Sequence, residues 1–201
     1  MSQQGRGVMS QLARVLAAVV LVLALVVPAV VQARDIPAPT PPADGEMAFV
    51  IDVTDGDTIK VDRGDGVVER LRYIGIDTPE TVHPDKPVEP WGPEASAANE
   101  ELVADQVVLL ERDISDRDQH DRLLRYVWVE TPEGWLMVNE ELVALGLAEV
   151  RSYQPDTKHD AYLREIEDEA RRASAGMHGS AVEQEDRSLL DRILDSLFGR
   201  D

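Results

Sequence analysis

The sequence predicts an α+β domain built on a small closed barrel of five short strands, with helices packed on it. Two observations carry this prediction. Five runs of β-forming residues are separated by turn signals, and three stretches show helical periodicity, one inserted among the strands and two following them. At 201 residues the chain is long enough for one ordinary domain with extensions but too short for two large ones. We therefore expect a single hydrophobic core.

The first three strands form a predicted meander over Ala48–Val53, Thr58–Val61 and Val67–Ile76. Asp55 and Gly56 mark the first turn, and a glycine-rich turn follows the second strand. The remaining elements are, in order, a helix opening at Gly92–Glu94, strands Val107–Leu110 and Leu124–Val129, and helices Val138–Leu145 and Ala161–Ala175. A glycine follows each of the last two helices, as is common at helix C-termini.

The N-terminal segment is typical of an export signal. Arg6 and Arg14 precede an apolar run of 17 residues from Val15 to Val31, and Ala33 ends a small-residue pattern like a processing site. We predict a signal segment over 1–33. An uncleaved membrane anchor is the alternative, because the run approaches the roughly 20 residues needed to span a bilayer. Either way, we expect the protein to be secreted or otherwise extracytoplasmic.

Three further segments follow. Residues 34–46 are rich in proline, which predicts a stiff linker. The folded domain is expected over 47–180, and an acidic tail over 181–201 carries apolar residues at the spacing of a short amphipathic helix. That helix would dock on its own domain or contact another protein. We expect the chain to be a monomer.

Charge and composition exclude several classes of protein. The chain has 39 acidic residues against 20 Lys and Arg, a net charge of −19. Beyond Ala33 the balance is 39 against 18, or −21, which argues against the usual basic nucleic-acid binder. A hydrophobic content of 43% is too high for a wholly disordered chain. The absence of Cys excludes a disulfide framework, a thiolate metal site and a Cys nucleophile.

Four carboxylates stand at special places in the predicted meander. Asp55 and Asp57 flank Gly56 at a strand-to-strand turn, where both side chains can converge on one point. Asp77 ends the third strand, and a proline fixes the turn that leads to Glu80. Carboxylates in such a pocket suit a hard cation such as Ca²⁺. Each motif taken alone is equally an ordinary turn.

Two arginines near these carboxylates are candidates for binding a phosphate group. Arg72 stands five residues before Asp77, so the two would face opposite sides of a regular strand unless Gly75 supplies a bend. Arg122 lies in a loop just before the fifth strand. Two guanidiniums beside a divalent cation can hold a phosphodiester and stabilise charge developing on phosphorus. Surface ion pairing is the alternative for either arginine.

Several motifs agree in order and spacing over about two thirds of the chain, from Phe49 to Met177. They are the Asp-Gly-Asp-Thr turn at 55–58, the segment 72–81, Trp91 to Ser96 and Met137 to Val143. In these motifs the sequence resembles the thermonuclease family, the staphylococcal nuclease-like domains. The resemblance implies an OB-fold, a five-stranded β-barrel with three helices, and a Ca²⁺-dependent hydrolase with DNA and RNA as substrates.

The resemblance also implies roles for the metal-site residues. Asp57 and Asp77 would bind Ca²⁺ through their carboxylates, and Thr78 through its carbonyl oxygen. Asp55 would lie nearby without binding directly. Glu80 would orient or deprotonate the attacking water.

On the substrate side, the resemblance assigns the scissile phosphate to Arg72 and Arg122. In-line attack would break the bond to the 5′ oxygen and leave 3′-phosphate ends. His120 and Tyr153 match positions that contact the nucleotide. The family commonly shows Tyr-Gly where His120 and Asp121 stand, and a tyrosine is expected where this chain has Arg151.

Two other functions remain open from the sequence. One is a non-catalytic OB-fold module of the cell envelope that binds a peptide, an oligonucleotide or a wall polymer. The other is a Ca²⁺-stabilised envelope protein whose tail binds a partner. The complete set of site residues favours the nuclease, whereas the acidic charge mildly favours the binding module.

Overall fold

The computed structural model describes residues 36–81 and 88–179. The predicted signal segment 1–33 and the predicted tail 181–201 lie outside the described residues. Ile36 packs against the core, and its backbone N–H donates a hydrogen bond to Glu165 Oε2 at 3.3 Å. Within the described part of the chain, no helix is long and apolar enough to cross a membrane.

The described chain contains eight strands and three α-helices. They are β1 Glu46–Asp55, β2 Thr58–Asp62, β3 Val68–Tyr73, β4 Ile76–Asp77, α1 Gly92–Val103, β5 Val107–Glu111, β6 Leu123–Thr131, β7 Gly134–Met137, α2 Val138–Ala144, β8 Glu149–Val150 and α3 Asp160–Arg172, followed by a 3₁₀ turn Gly176–His178.

Five of these strands close into a barrel. The order β3-β2-β1-β5-β6 is antiparallel throughout, and a parallel pairing of β3 with β6, with Leu71 opposite Leu123, closes the ring. β7 extends β6 as a hairpin, and β4 pairs with β8 in a separate two-stranded sheet. The prediction of a five-stranded barrel with three helices in an α+β fold is therefore confirmed.

The barrel interior is apolar because alternate strand residues point inward. Ile59 and Val61 on β2 and Leu71 and Tyr73 on β3 are almost completely buried, as is Trp128 on β6. The same alternation sends the intervening residues of β2 and β3 outward. On β3, these include the two arginines at 70 and 72.

Two buried asparagines join the helices to the barrel. Asn99 of α1 accepts a hydrogen bond from the Tyr73 hydroxyl at 2.8 Å and donates one to the Asp55 carbonyl at 2.9 Å. Asn139 of α2 accepts from the Val127 amide and donates to the Ile74 carbonyl, both at 2.9 Å. These bonds hold the backbone at the start of the first turn and at the bend after β3.

The structure corrects the sequence prediction in three places. The predicted strand Val67–Ile76 ends at Tyr73 and resumes at Ile76, because Gly75 adopts a φ of +78° and bends the chain. The last helix ends at Arg172, three residues earlier than predicted. The strands β7 and β8 lie outside the predicted elements.

Candidate active site

The turn between β1 and β2 brings two carboxylates to the barrel surface. Asp55 and Asp57 are only 7% and 5% exposed. Between them, Gly56 leaves no room for a side chain, since a Cβ there would lie 2.7 Å from Thr78 Oγ1. The sequence therefore packs the turn directly against the segment that follows β4.

The bend at Gly75 brings Arg72 and Asp77 together, although the two side chains would face opposite sides of a regular strand. Arg72 Nη2 donates to Asp77 Oδ1 at 2.6 Å. Arg72 Nη1 also forms an ion pair with Asp57 Oδ2. One guanidinium thus lies between the two carboxylates that were predicted as metal ligands, and Arg151 Nη2 approaches Asp77 from another direction at 3.4 Å.

Burial controls the charge of the two aspartates in the turn. It raises the pKa of Asp57, despite the opposing effects of the Arg72 guanidinium and of the Thr78 amide, which donates at 3.0 Å. Burial also raises the pKa of Asp55, and hydrogen bonds from the Thr81 hydroxyl and the Gly56 amide only partly offset it. For both carboxylates, burial outweighs the groups that favour the charged form.

Glu80 lies where the chain leaves β4. Its backbone N–H donates to Glu89 Oε2 at 3.1 Å, and its carbonyl accepts from the Glu89 amide at 2.9 Å. Its Oε1 accepts the Thr81 amide at 3.1 Å, and its carboxyl hydrogen-bonds to Asp55, which adds to the rise in the pKa of Asp55. The backbone pairing with Glu89 holds Glu80 next to the turn.

Arg122 is oriented by an aspartate that the sequence analysis did not select. Asp118 Oδ2 accepts from Arg122 Nε and Nη2, both at 2.7 Å, while Oδ1 accepts the amides of His120 and Arg122. Burial alone would raise the pKa of Asp118, but the hydrogen bonds from Arg122 and His120 lower it. Asp118 therefore fixes both the loop and the direction of the Arg122 guanidinium.

Two neighbouring cavities contain the predicted residues. The first, here called the carboxylate cavity, has a volume of about 360 Å³. Its predicted members are Asp55, Asp57, Arg72, Asp77, Thr78, Glu80 and Arg122, and Arg70 also lines it. The second, here called the loop cavity, measures about 400 Å³ and contains His120 and Tyr153. Arg72 and Arg122 line both cavities, so the structure brings all nine predicted residues to one continuous region.

The carboxylate cavity has the chemistry of a site for a hard cation. Its donors near Asp57 and Asp77 are oxygens, and the Thr78 hydroxyl is buried without a hydrogen-bond partner. Within the described residues, no three Asp, Glu or His side chains are grouped as ligands of one ion. Arg72 instead supplies the positive charge between the two carboxylates.

Three residues of the site were not predicted from the sequence, namely Asp118, Arg70 and Arg151. A signal existed for two of them. Asp118 precedes Arg122 by four residues in a turn-forming stretch, and Arg70 precedes Arg72 by two residues on the same strand, which places both on one face. For Arg151, the contact with Asp77 depends on the β4–β8 pairing, which no local pattern predicted.

A small barrel with carboxylates and guanidiniums in one surface cavity is suited to phosphodiester hydrolysis, and the comparisons with known proteins agree with that class. A family model described as "Staphylococcal nuclease homologue" matches residues 70–179. The thermonuclease of Staphylococcus hyicus is 42% identical over 130 residues, covering 65% of this chain and 74% of that protein. The Staphylococcus intermedius thermonuclease is 41% identical over 128 residues, with coverage of 64% and 73%.

Endonuclease YncB of Bacillus subtilis (strain 168) is 44% identical over a shorter stretch of 119 residues, or 58% of this chain and 54% of that protein. The chain belongs to the staphylococcal nuclease family. It is a nuclease, a hydrolase acting on ester bonds.

Proposed function

We propose that this protein is an exported, calcium-dependent nuclease that hydrolyses phosphodiester bonds of DNA and RNA and leaves 3′-phosphate ends. The observation that carries the proposal is the carboxylate cavity, where Asp57 and Asp77 share one small space with Arg72, Arg122 and Glu80. Carboxylates that attract a cation and guanidiniums that attract phosphate are both needed for this chemistry.

Asp57, Asp77 and the Thr78 carbonyl would hold the cation. Ca²⁺ fits best among common ions because it accepts oxygen ligands in flexible geometry, and this site offers neither Cys nor a His pair. When bound, the ion supplies positive charge that polarises the phosphodiester. Burial of Asp57 and Asp55, which raises both pKa values, favours such a cation because it would stabilise their charged forms.

Arg72 and Arg122 would bind the non-bridging oxygens of the scissile phosphate. Asp118 keeps the Arg122 guanidinium aimed by accepting two of its N–H groups, so little side-chain order has to be gained on binding. As the bond to the leaving oxygen breaks, negative charge grows on the phosphoryl oxygens. Both guanidiniums stabilise that charge, and the effect is large in a partly enclosed cavity.

Glu80 would act as the general base. Its carboxylate takes a proton from water as the water oxygen bonds to phosphorus in line with the 5′ oxygen. The P–O5′ bond breaks, the 5′ oxygen takes a proton from solvent, and the phosphate stays on the 3′ oxygen. The carboxyl hydrogen bond with Asp55 and the backbone pairing with Glu89 would keep Glu80 at the turn.

The test compares wild type with Glu80→Gln on heat-denatured DNA and on RNA, in Ca²⁺ and in excess chelator. Wild type should degrade both polymers, chelation should stop the reaction, and Glu80→Gln should lose a factor of roughly 10²–10⁴ in kcat. Glu133→Gln, on the exposed turn between β6 and β7, is the matched control and should behave as wild type. The products should accept polymerase extension only after phosphatase treatment.

Intact DNA and RNA across a range of Ca²⁺ and salt concentrations would contradict the proposal. The non-catalytic OB-fold module would then be tested by binding to peptides, oligonucleotides and wall polymers. Export is tested separately by N-terminal sequencing of protein recovered from the medium, where a start near residue 34 is expected. Sedimentation should show a monomer.

A further inference from the structure

Arg70 is a third arginine in the carboxylate cavity, beside Arg72 and Arg122, and it has no role in the proposed reaction. It lies on β3 two residues before Arg72, so both side chains leave the same face of the strand about 6.6 Å apart. Both line the carboxylate cavity, but only Arg72 also lines the loop cavity. Arg70 therefore lies beside Arg72 along β3, and it lines only one of the two cavities that the Arg72–Arg122 pair joins.

Arg70 differs from the other arginines of the site in its partners. Arg72 and Arg151 face Asp77, and Arg122 faces Asp118. Arg70 forms no ion pair with any carboxylate of the described residues. Its guanidinium donates a hydrogen bond from Nη2 to the His120 carbonyl oxygen at 2.9 Å. A neutral acceptor thus positions the exposed guanidinium without cancelling its charge.

The strand opposite places a second cation beside Arg70. Lys60 on β2 stands directly across from Arg70 in the β2–β3 ladder. Like charges at directly opposed positions are unfavourable, and Lys60 is balanced instead by Asp52, whose Oδ2 accepts from its Nζ at 2.8 Å. An anion beside Arg70 would supply the missing countercharge.

By contrast, two arginines beside this strand are neutralised by a carboxylate. Glu69, the neighbour of Arg70 on β3, pairs with both Arg63 and Arg117 through its carboxylate. In a chain of net charge −19, Arg70 is an exposed cation with no carboxylate partner among the described residues, and it lies next to Arg72 and Arg122. Local positive charge there attracts an anion that the rest of the surface repels.

We propose that Arg70 binds the phosphate that flanks the scissile one, beside Arg72 along β3. The site then takes a polynucleotide strand rather than an isolated phosphodiester, with its backbone running along β3 past Arg72 to Arg70. This inference rests on the proposed function, and it names the substrate as a chain with at least two consecutive phosphates.

The experiment compares three dinucleotide substrates, one with no terminal phosphate, one with a 5′-terminal phosphate and one with a 3′-terminal phosphate. For wild type in Ca²⁺, one of the two terminal phosphates should raise kcat/KM roughly tenfold through Arg70. Arg70→Gln should lose most of that increment while keeping any increment due to the other phosphate. Glutamine removes the charge, and because its side chain is shorter it also gives up the bond to the His120 carbonyl, so the control has to lose an equivalent bond.

Arg112→Gln is the matched control. Its exposed guanidinium also donates to a backbone carbonyl, that of Ile114 at 3.1 Å, and lines neither cavity. It removes the same charge, so it should keep the increment that Arg70→Gln loses. Arg70→Lys should restore part of it.

A second readout does not depend on turnover. In chelator, binding of a ten-nucleotide single strand should show a salt slope, log Kd against log salt, that is shallower by about 0.7 in Arg70→Gln than in Arg112→Gln. Equal loss of kcat/KM on all three dinucleotides, or an unchanged increment, would overturn the inference while leaving the nuclease proposal intact. Failure of wild type to cleave even denatured DNA would overturn the proposed function and this inference with it.

Discussion

Two buried carboxylate clusters in this protein have opposite electrostatic balances. In the carboxylate cavity, Asp57 meets one guanidinium that it shares with Asp77. In the second cluster, Glu111 at the end of β5 is 2% exposed and has three side-chain partners. Its Oε2 accepts from Trp128 Nε1 at 2.8 Å, and its Oε1 lies 2.6 Å from Lys158 Nζ and 3.0 Å from His159 Nε2.

The pKa directions follow from this difference. Burial tends to raise the pKa of Glu111, but the hydrogen bonds from His159, Lys158 and Trp128 outweigh burial and lower it. For Asp57, burial prevails over Arg72 and Thr78. The Glu111 cluster is completed by the protein's own side chains and therefore stabilises the fold. In the carboxylate cavity, the protein's own partners do not offset the burial of Asp57, as expected where a ligand completes the site.

The largest expected effect separates activity from stability at Arg122. Arg122→Ala should lower kcat/KM on denatured DNA by roughly 10²–10³-fold, because it removes a guanidinium that stabilises the transition state. Its free energy of unfolding, measured by urea titration in chelator, should fall by less than about 1 kcal/mol, since the Asp118 pair is partly exposed. Arg112→Ala should leave both quantities near wild type. A loss of stability large enough to explain the loss of activity would undermine the distinction.

The opposite pattern is expected at Glu111. Glu111→Gln removes the negative charge that Lys158 and His159 face, so the free energy of unfolding should fall by about 2–3 kcal/mol. Below the unfolding transition, kcat/KM should stay within about twofold of wild type. Glu130→Gln, on an exposed position of β6, is the control and should change stability by less than about 0.5 kcal/mol. A stable but inactive Glu111→Gln would show that the second cluster also serves catalysis.

Local sequence patterns predicted the parts of the fold that local physics decides. The turn at Gly56 and the bend at Gly75 follow from residues that accept positive φ or close packing, and both predictions hold. Five strands and three helices follow from hydrophobic periodicity. The parallel pairing of β3 with β6, which closes the barrel, joins residues about 50 positions apart. No local pattern encodes that pairing.

The prediction of site residues from local sequence patterns has the same limit. Asp57, Asp77 and Arg72 could be grouped because they lie within one meander, and the structure brings them together. Asp118 was missed because its role is to orient another side chain, and aspartate in a turn is common. Arg151 reaches Asp77 only through the two-residue pairing of β4 with β8, which is too short for a periodicity signal.

A smaller effect tests whether the charged carboxylate of Asp57 lowers the stability of the fold when no cation is bound. The pKa of Asp57 is raised, so the folded state disfavours its ionised form, and charge on Asp57 reduces stability near neutral pH. Asp57→Asn should therefore match or exceed wild-type stability in chelator, by up to about 1 kcal/mol, while activity is lost. Added Ca²⁺ should stabilise wild type in proportion to RT ln(1 + [Ca²⁺]/Kd) and leave Asp57→Asn unchanged. Destabilisation of Asp57→Asn in chelator would mean that Asp57 is structural.

The smallest expected effect is the pH dependence of the Glu111 contribution. The folded-state pKa of Glu111 lies below its ordinary value of 4.5, so its stabilising contribution is present above about pH 4.5 and declines as the pH falls through the folded-state pKa. The difference in unfolding free energy between wild type and Glu111→Gln should thus be constant from about pH 7 to 5 and shrink toward pH 3. Urea titrations across this range measure it. A difference that grows on acidification would require Glu111 to be protonated more readily when folded, and the two clusters would then share one electrostatic balance rather than opposite ones.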